Sequence, residues 1–399
     1  MGRLKDRVAL ARALLGVPEI LRAKPSLILF LCRYMGKFRA RSFGGRVILH
    51  SHLPPLNSAA YRRFVREHLI GRTTGPSHAQ VGLTNACPQS CVYCYNRGRT
   101  GRPMDTETIL RVVRELKAMG VFWMGWTGGE PLLNRDIVRI TESASRDCAV
   151  KLFTTGSGLT PALARDLAAA GLFSVSVSLD DRREREHDRC RGKKGAFREA
   201  LKAVETFLGV EGLHVGVSSV LSKATIRRGG AEEFLAFLEG LGVHEAWVSE
   251  AKPSLPAYWS EDNVIAEEDR LRLVRLQDAY NRTGRSRMTV NYLGHFEGRE
   301  HFGCNAGHKM IYVDAFGEVS PCVFTPFSLG NVRTRPLAEI AAEMRRLFPS
   351  EESCFMNRNY RLLAEISRGR VPLSERETRE LLERVRFGPM ARFMRLYNS

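Results

Sequence analysis

Three cysteines stand close together in the run Cys87-Pro88-Gln89-Ser90-Cys91-Val92-Tyr93-Cys94. Three thiolates on so short a loop can hold three irons of a [4Fe–4S] cluster, leaving the fourth iron free to bind a substrate or cofactor. A tetrahedral zinc site would want a fourth Cys or His, commonly in a second CxxC, and none follows nearby. The competing reading is three merely buried or zinc-binding thiols. A second set, Cys304, Cys322 and Cys354, is spread over the C-terminal third. Cys32, Cys148 and Cys190 are single and unspaced, and such cysteines are commonly small core hydrophobes. The pair in His50-Ser51-His52 reads as incidental rather than as a metal site.

With the aromatic Tyr93 directly before its last cysteine, the first run resembles the CxxxCx(aromatic)C motif of the radical S-adenosylmethionine (SAM) superfamily. The resemblance implies that Cys87, Cys91 and Cys94 are the catalytic cluster ligands and that the open iron meets the amino and carboxylate groups of SAM. Thr127-Gly128-Gly129-Glu130-Pro131 is similar to the family's GGEP motif, which receives the SAM amino group; two adjacent glycines permit a close backbone approach. By the same resemblance Ser178 and Arg191 contact the methionyl carboxylate, which favours an Arg fork. Tyr93 touches the adenine through its backbone, and Leu221 packs on the adenine. Asp180 and Asp181 are balanced between site residues and ordinary loop acids. Thr154-Thr155-Gly156 stands where many relatives show Thr-Asn-Gly.

In the second set, Cys304 is followed by twelve residues, Gly317, four more residues and Cys322. This, with Leu329-Gly330-Asn331-Val332, resembles the opening of the SPASM and twitch domains, which place auxiliary iron–sulfur clusters beside the barrel. Only Cys354 follows, where a full SPASM domain has a dense CxxCxxxxxC cluster. The resemblance therefore implies a twitch-like domain with one auxiliary [4Fe–4S] cluster on Cys304, Cys322 and Cys354. The alternative is a reduced domain with buried cysteines.

The elements that must position these residues show in the hydrophobic period. Apolar or β-branched runs at Ala79–Thr84, Val121–Trp126, Ala149–Thr154, Phe173–Leu179, Leu213–Val220 and Glu245–Ser249 alternate with amphipathic helical stretches, as β/α units around a parallel sheet do. Six units are too few for a complete eight-unit barrel. They match the partial (β/α)6 TIM-like barrel that the resemblance implies. The expected fold class is α/β: that barrel, a small C-terminal α+β twitch/SPASM-like domain and an N-terminal helical extension. The boundaries fall at 1–76, 77–285, 286–350 and 351–399, the last segment returning to charged helical periodicity. Short strands are expected at Met288–Val290 and Met310–Val313, with a hairpin turn at Ala315–Glu318 leading into Val319–Val323.

The chain has 399 residues, 44% of them apolar, enough for one large core and a smaller appended domain. Nine cysteines without a small disulfide framework fit a reducing, cytoplasmic setting. Lys and Arg exceed Asp and Glu by 61 to 43, a net +18 that draws anionic partners. The basic residues are spread along the chain without an aromatic-basic RNA-binding signature, so nucleic acid is not expected. The run Leu27–Cys32 is far too short to span a bilayer. Followed by Arg33, Lys37, Arg39 and Arg41, it suggests either a packed helix with a solvated basic face or a peripheral membrane contact. The expected function is a radical SAM enzyme that abstracts hydrogen from a substrate C–H. A small-molecule or lipid-like substrate is the first expectation and a peptide the alternative; a non-catalytic metal protein binding an anionic partner is the rival from another class. A reducing partner such as flavodoxin or ferredoxin is implied.

Overall fold

The computed structural model of the chain describes residues 16–35, 38, 40–283 and 286–399. After a short hairpin, β1 (Arg41–Phe43) and β2 (Arg46–Ile48), six parallel strands follow in order: β3 (His78–Thr84), β4 (Trp123–Gly128), β5 (Ala149–Thr154), β6 (Ser174–Ser178), β7 (His214–Leu221) and β8 (Glu245–Glu250). Their side chains are buried almost without interruption, as expected of strands covered on both faces. Helices cover the outside. The helix Thr106–Ala118 starts at Asp105, whose carboxylate accepts from Thr108 N–H at 2.8 Å, and turns Ile109, Val112, Val113 and Leu116 to the sheet. Pro161–Ala169 starts on a Thr160 cap with Pro161 at its first position.

The chain forms a partial barrel of the (β/α)6 type with an extended sheet, and the extensions correct two expectations. The segment around Met288–Val290 forms β9 (Thr289–Tyr292), which pairs in parallel with β8 as a seventh strand. It is short but fully buried on both faces, so it behaves like the barrel strands before it. The hairpin of β10 (Met310–Val313) and β11 (Val319–Ser320) pairs, through β10, in parallel with β3. One nine-stranded sheet results, in the order β11-β10-β3-β4-β5-β6-β7-β8-β9. The β1–β2 hairpin was not expected within 1–76; three-residue strands carrying Arg41 and Arg46 around Gly44-Gly45 leave too short a period to read.

The N-terminal segment closes the barrel at the strands' N-terminal ends. Ser51 accepts there from Lys151 Nζ at 2.5 Å, donates its backbone N–H to Glu245 at 2.9 Å, and gives its carbonyl to Trp123 Nε1 at 2.8 Å. Asn291 donates to the same Glu245 at 2.7 Å. Lys151 and Glu245 are wholly buried, and burial pulls the Lys151 ammonium down to about 7 while Glu245 opposes the shift. His50 and His52 belong to this floor, His52 offering its carbonyl to His78 Nε2 at 2.9 Å. The apolar run of the helix Pro25–Met35 packs Leu27, Phe30 and Tyr34 against Phe393, Met394 and Tyr397 of the C-terminal helix Arg392–Asn398. Lys37 and Arg39 lie outside the described residues. Among the described residues no helix is long and apolar enough to cross a membrane.

Candidate active site

The three spaced cysteines fall on the loop that leaves β3 at the C-terminal end of the sheet, where enzymes of barrel type build their sites. Cys87 is exposed, Cys94 half-buried and Cys91 buried. The loop is moored to the end of the helix Glu184–Arg191: Ser90 N–H donates to the Arg191 carbonyl at 2.9 Å, and Val92 N–H to the Cys190 carbonyl at 3.0 Å. That helix stops at Gly192, whose φ of +61° suits glycine and where a Cβ would stand 2.6 Å from the Ser90 carbonyl oxygen. Burial pushes the Cys87 thiol up to about 11, open though its side chain is to solvent, and Cys91 and Cys94 push the same way. Burial also raises Cys91, against the pull of Arg191. Thiols must lose their protons to bind metal, and a neighbouring cation favours that loss.

Beside them lies a buried charge pair. Arg191 Nε is 2.8 Å from Asp180 Oδ2, its Nη1 is 3.8 Å from Cys91 Sγ, and its guanidinium stands 5.6 Å from the Tyr93 ring centre. Tyr93 donates its hydroxyl to Asp180, which also accepts from Val220 N–H at 2.9 Å. Asp180 is therefore no ordinary loop acid; it locks Arg191 over the cysteine loop. Asp181, by contrast, faces out and pairs with Arg183 at 2.8 Å. Ser178 is half-buried at the end of β6, and Leu221 is buried at the end of β7.

The Gly128-Gly129-Glu130 turn runs against the start of the same loop. Gly129 N–H donates to the Thr84 carbonyl at 2.7 Å and Glu130 N–H to that of Ala86 at 2.8 Å. Gly128 has φ of +117°, and a Cβ on Gly129 would lie 2.2 Å from the Ala86 carbonyl oxygen, so no other residue fits without displacing the loop. Glu130 lies wholly buried beneath the turn. Its carboxylate accepts from Thr154 Oγ1 (2.6 Å), Thr155 N–H (2.6 Å), Thr155 Oγ1 (2.5 Å) and Leu132 N–H (3.1 Å). The departure at Thr155 thus has a use: its hydroxyl and amide hold Glu130. Burial raises Glu130, and these donors oppose the rise.

Sequence reasoning missed the residues that join the two thiol sets. Arg99, just past Cys94, is buried against Asp314 at 3.1 Å and donates to the Thr325 carbonyl at 2.8 Å. Asn96 donates to the Gly128 carbonyl and accepts from Tyr312 at 2.9 Å. Cys304 and Cys322 are half-buried and Cys354 is buried; burial pushes Cys304 and Cys322 to about 12 and Cys354 higher. The charge of Cys322 bears on Cys304, that of Cys354 on Cys322, and that of Cys304 on Cys354. Among the described residues no three His, Cys, Asp or Glu side chains converge on a single-ion site.

The chain carries a radical SAM domain: residues 81–221 match the family model described as the radical SAM superfamily. Residues 304–359 match the SPASM model, described as an iron–sulfur cluster-binding domain. The protein accordingly works with a [4Fe–4S] cluster and SAM and carries auxiliary iron–sulfur chemistry in its C-terminal part. It is similar to an AdoMet-dependent heme synthase of Methanosarcina barkeri, 26% identical over 71% of this chain and 88% of that one. It is also similar to a PqqA peptide cyclase of Methylocella silvestris, 31% identical over 48% of this chain; the match spans about half of that relative, 54%. The fold resembles SuiB of Streptococcus suis, solved bound to the precursor peptide SuiA, with a TM-score of 0.57 and 16% identity over 70% of this chain and 69% of that one.

Proposed function

We propose that this chain modifies a peptide by radical SAM chemistry, with Cys87, Cys91 and Cys94 holding the cluster that binds SAM and Cys304, Cys322 and Cys354 holding an auxiliary cluster. The observation that carries this reading is that the two thiol sets are joined across neighbouring strands by the buried Arg99–Asp314 pair. When bound, cluster and SAM supply one-electron cleavage of the sulfonium and a 5′-deoxyadenosyl radical that takes hydrogen from a substrate C–H. Arg191 sets positive charge against the Cys91 thiolate and offers its fork to the methionyl carboxylate, while Asp180 fixes its direction. Ser178 donates to the same carboxylate. The Gly128-Gly129 backbone receives the amino group, and Glu130, its oxygens taken by Thr154, Thr155 and Leu132, acts as a positioning residue below the turn. Tyr93 and Leu221 border the adenine. The division of the chain at residues 76 and 350 belongs to this reading, while β9 and the β10–β11 hairpin carry the barrel sheet across the boundary expected at 285.

A peptide substrate takes precedence over the small or lipid-like molecule of first expectation because of the peptide cyclase and the peptide-bound SuiB. A small molecule remains the second reading, favoured by the synthase, which this chain matches over 88% of its length. The lipid-surface variant has less support, since Leu27 and Phe30 face the C-terminal helix. The test is anaerobic reconstitution with iron and sulfide, then SAM and a reductant, with chromatography for 5′-deoxyadenosine. Coexpression with short open reading frames adjoining its gene follows, with mass spectrometry of the peptides. Deoxyadenosine release together with a peptide lighter by hydrogen supports the reading. Release with every peptide unchanged, and a small molecule consumed, replaces it with the second.

A further inference from the structure

Three cysteines leave one iron of an auxiliary four-iron cluster without a protein ligand. The chain offers a further donor beside them. Glu297 lies on a loop that returns on itself, Phe302 and Gly303 donating their N–H groups to the Phe296 carbonyl at 3.2 and 3.1 Å, and Cys304 follows directly. The loop is fastened to the segment leading into Cys354: Gly298 N–H reaches the Glu352 carbonyl at 2.6 Å, and Cys304 N–H that of Glu351 at 2.7 Å. Facing it, just past β8, is Lys252. Its ammonium is buried, 2.7 Å from Glu250 Oε1 and 2.8 Å from Glu297 Oε1. Lys252 thus anchors the Oε1 oxygen of Glu297. Asn357, three residues past Cys354, donates to the same Glu250 Oε1 at 3.5 Å, so the charge cluster lies against the start of the helix that follows Cys354.

We propose that Glu297 is the fourth protein ligand of the auxiliary cluster, binding iron through Oε2 while Lys252 holds Oε1. The inference rests on the reading that Cys304, Cys322 and Cys354 hold that cluster. Iron accepts an oxygen donor beside thiolates, and the ion pair with Lys252 orients the carboxylate as outer-shell partners of metal ligands do. The ionised carboxylate forms the iron–oxygen bond and displaces a water, with no change in oxidation state. The buried ammonium offsets the added negative charge. A cluster closed in this way has no position for substrate, which confines it to passing electrons.

The experiment uses the full chain with Cys87, Cys91 and Cys94 changed to Ala, reconstituted anaerobically so that only the auxiliary cluster can form. This parent is compared with the same chain carrying Glu297→Ala, Glu297→Gln or Glu297→Cys. Iron content, the electron paramagnetic resonance spectrum of the reduced cluster, and iron loss to a chelator after mild oxidation are read. The parent should hold a complete cluster. The Ala and Gln variants should lose one iron about ten- to a hundredfold faster and bind added cyanide with a changed spectrum, whereas the Cys variant should retain its iron. Where Glu297→Ala does not fold, the isosteric Gln variant carries the comparison. Identical spectra and iron loss in parent and Gln variant overturn the role of Glu297. A folded parent without iron overturns the auxiliary cluster itself, a separate outcome.

Discussion

Each end of the barrel buries a cation–anion pair, and the two pairs serve different ends. At the floor, Lys151 and Glu245 lie 4.0 Å apart around Ser51, and Trp247 and Asn291 complete their hydrogen bonds. The partners there are the hydroxyl and amide of Ser51, the indole of Trp247 and the amide of Asn291. At the top, Arg191 and Asp180 meet at 2.8 Å with Tyr93 against them and Cys91 beside them. The floor pair is surrounded by donors and acceptors that belong to the protein, whereas the top pair adjoins a loop whose Cys87 is open to solvent. A buried ion pair by itself therefore says little about function; what it faces decides whether it seals or binds.

The largest effect should come from the top. Changing Cys87, Cys91 and Cys94 to Ala should abolish 5′-deoxyadenosine formation while leaving the denaturation midpoint close to that of the unreconstituted parent, because the loop lies outside the strand core. Deoxyadenosine at the parent's rate would remove the loop from the chemistry. Breaking the floor should do the reverse. Glu245→Ala leaves Lys151 and Asn291 without their partner and should cost about 3–5 kcal/mol of stability, read as a lower urea midpoint, with SAM affinity near the parent's under folding conditions. Loss of SAM binding at an unchanged midpoint would show that the two ends are not separate.

Arg191→Lys is a finer probe. It keeps the charge beside Asp180 but removes the planar fork, and loss of one charge-assisted hydrogen bond, about 1.5–3 kcal/mol, should weaken SAM binding about ten- to a hundredfold. Calorimetry that finds equal affinity would discard the carboxylate contact. A separate effect is acid sensitivity at the floor. Burial lowers His50 and His78 from 6.5 to about 4. The unfolded chain then binds more protons than the folded one between these values, so stability should fall as pH drops from about 6.5 to 4, by up to about 1.4 kcal/mol per pH unit for each His. His50→Gln should flatten that slope; a slope unchanged in the variant would assign the acid response to other groups.

The six barrel strands and the cysteine and glycine motifs were legible because each is written locally, in a period or in a spacing. The partners of charged residues were not. Asp180 next to Asp181 gives no sign that one turns inward to Arg191 while the other pairs outside with Arg183. Arg99 and Asp314, or Lys252 and Glu297, are brought together only when the sheet forms, and no local pattern records it. The hairpin Met310–Val313 and Val319–Ser320 was visible as strands, yet its place on the sheet depended on an edge of β3 that the sequence does not mark.

That pairing of β10 with β3 has a kinetic consequence. The loop bearing Cys87 leaves β3, and the turn bearing Asp314 leaves the adjacent β10, so the two iron-binding regions share a backbone ladder rather than a hinge. Adjacent strands lie about 4.8 Å apart, and the hydrogen bonds between them resist any sliding that would lengthen an electron's path. Were clusters held on the two cysteine sets, tunnelling between them would proceed over a nearly constant gap.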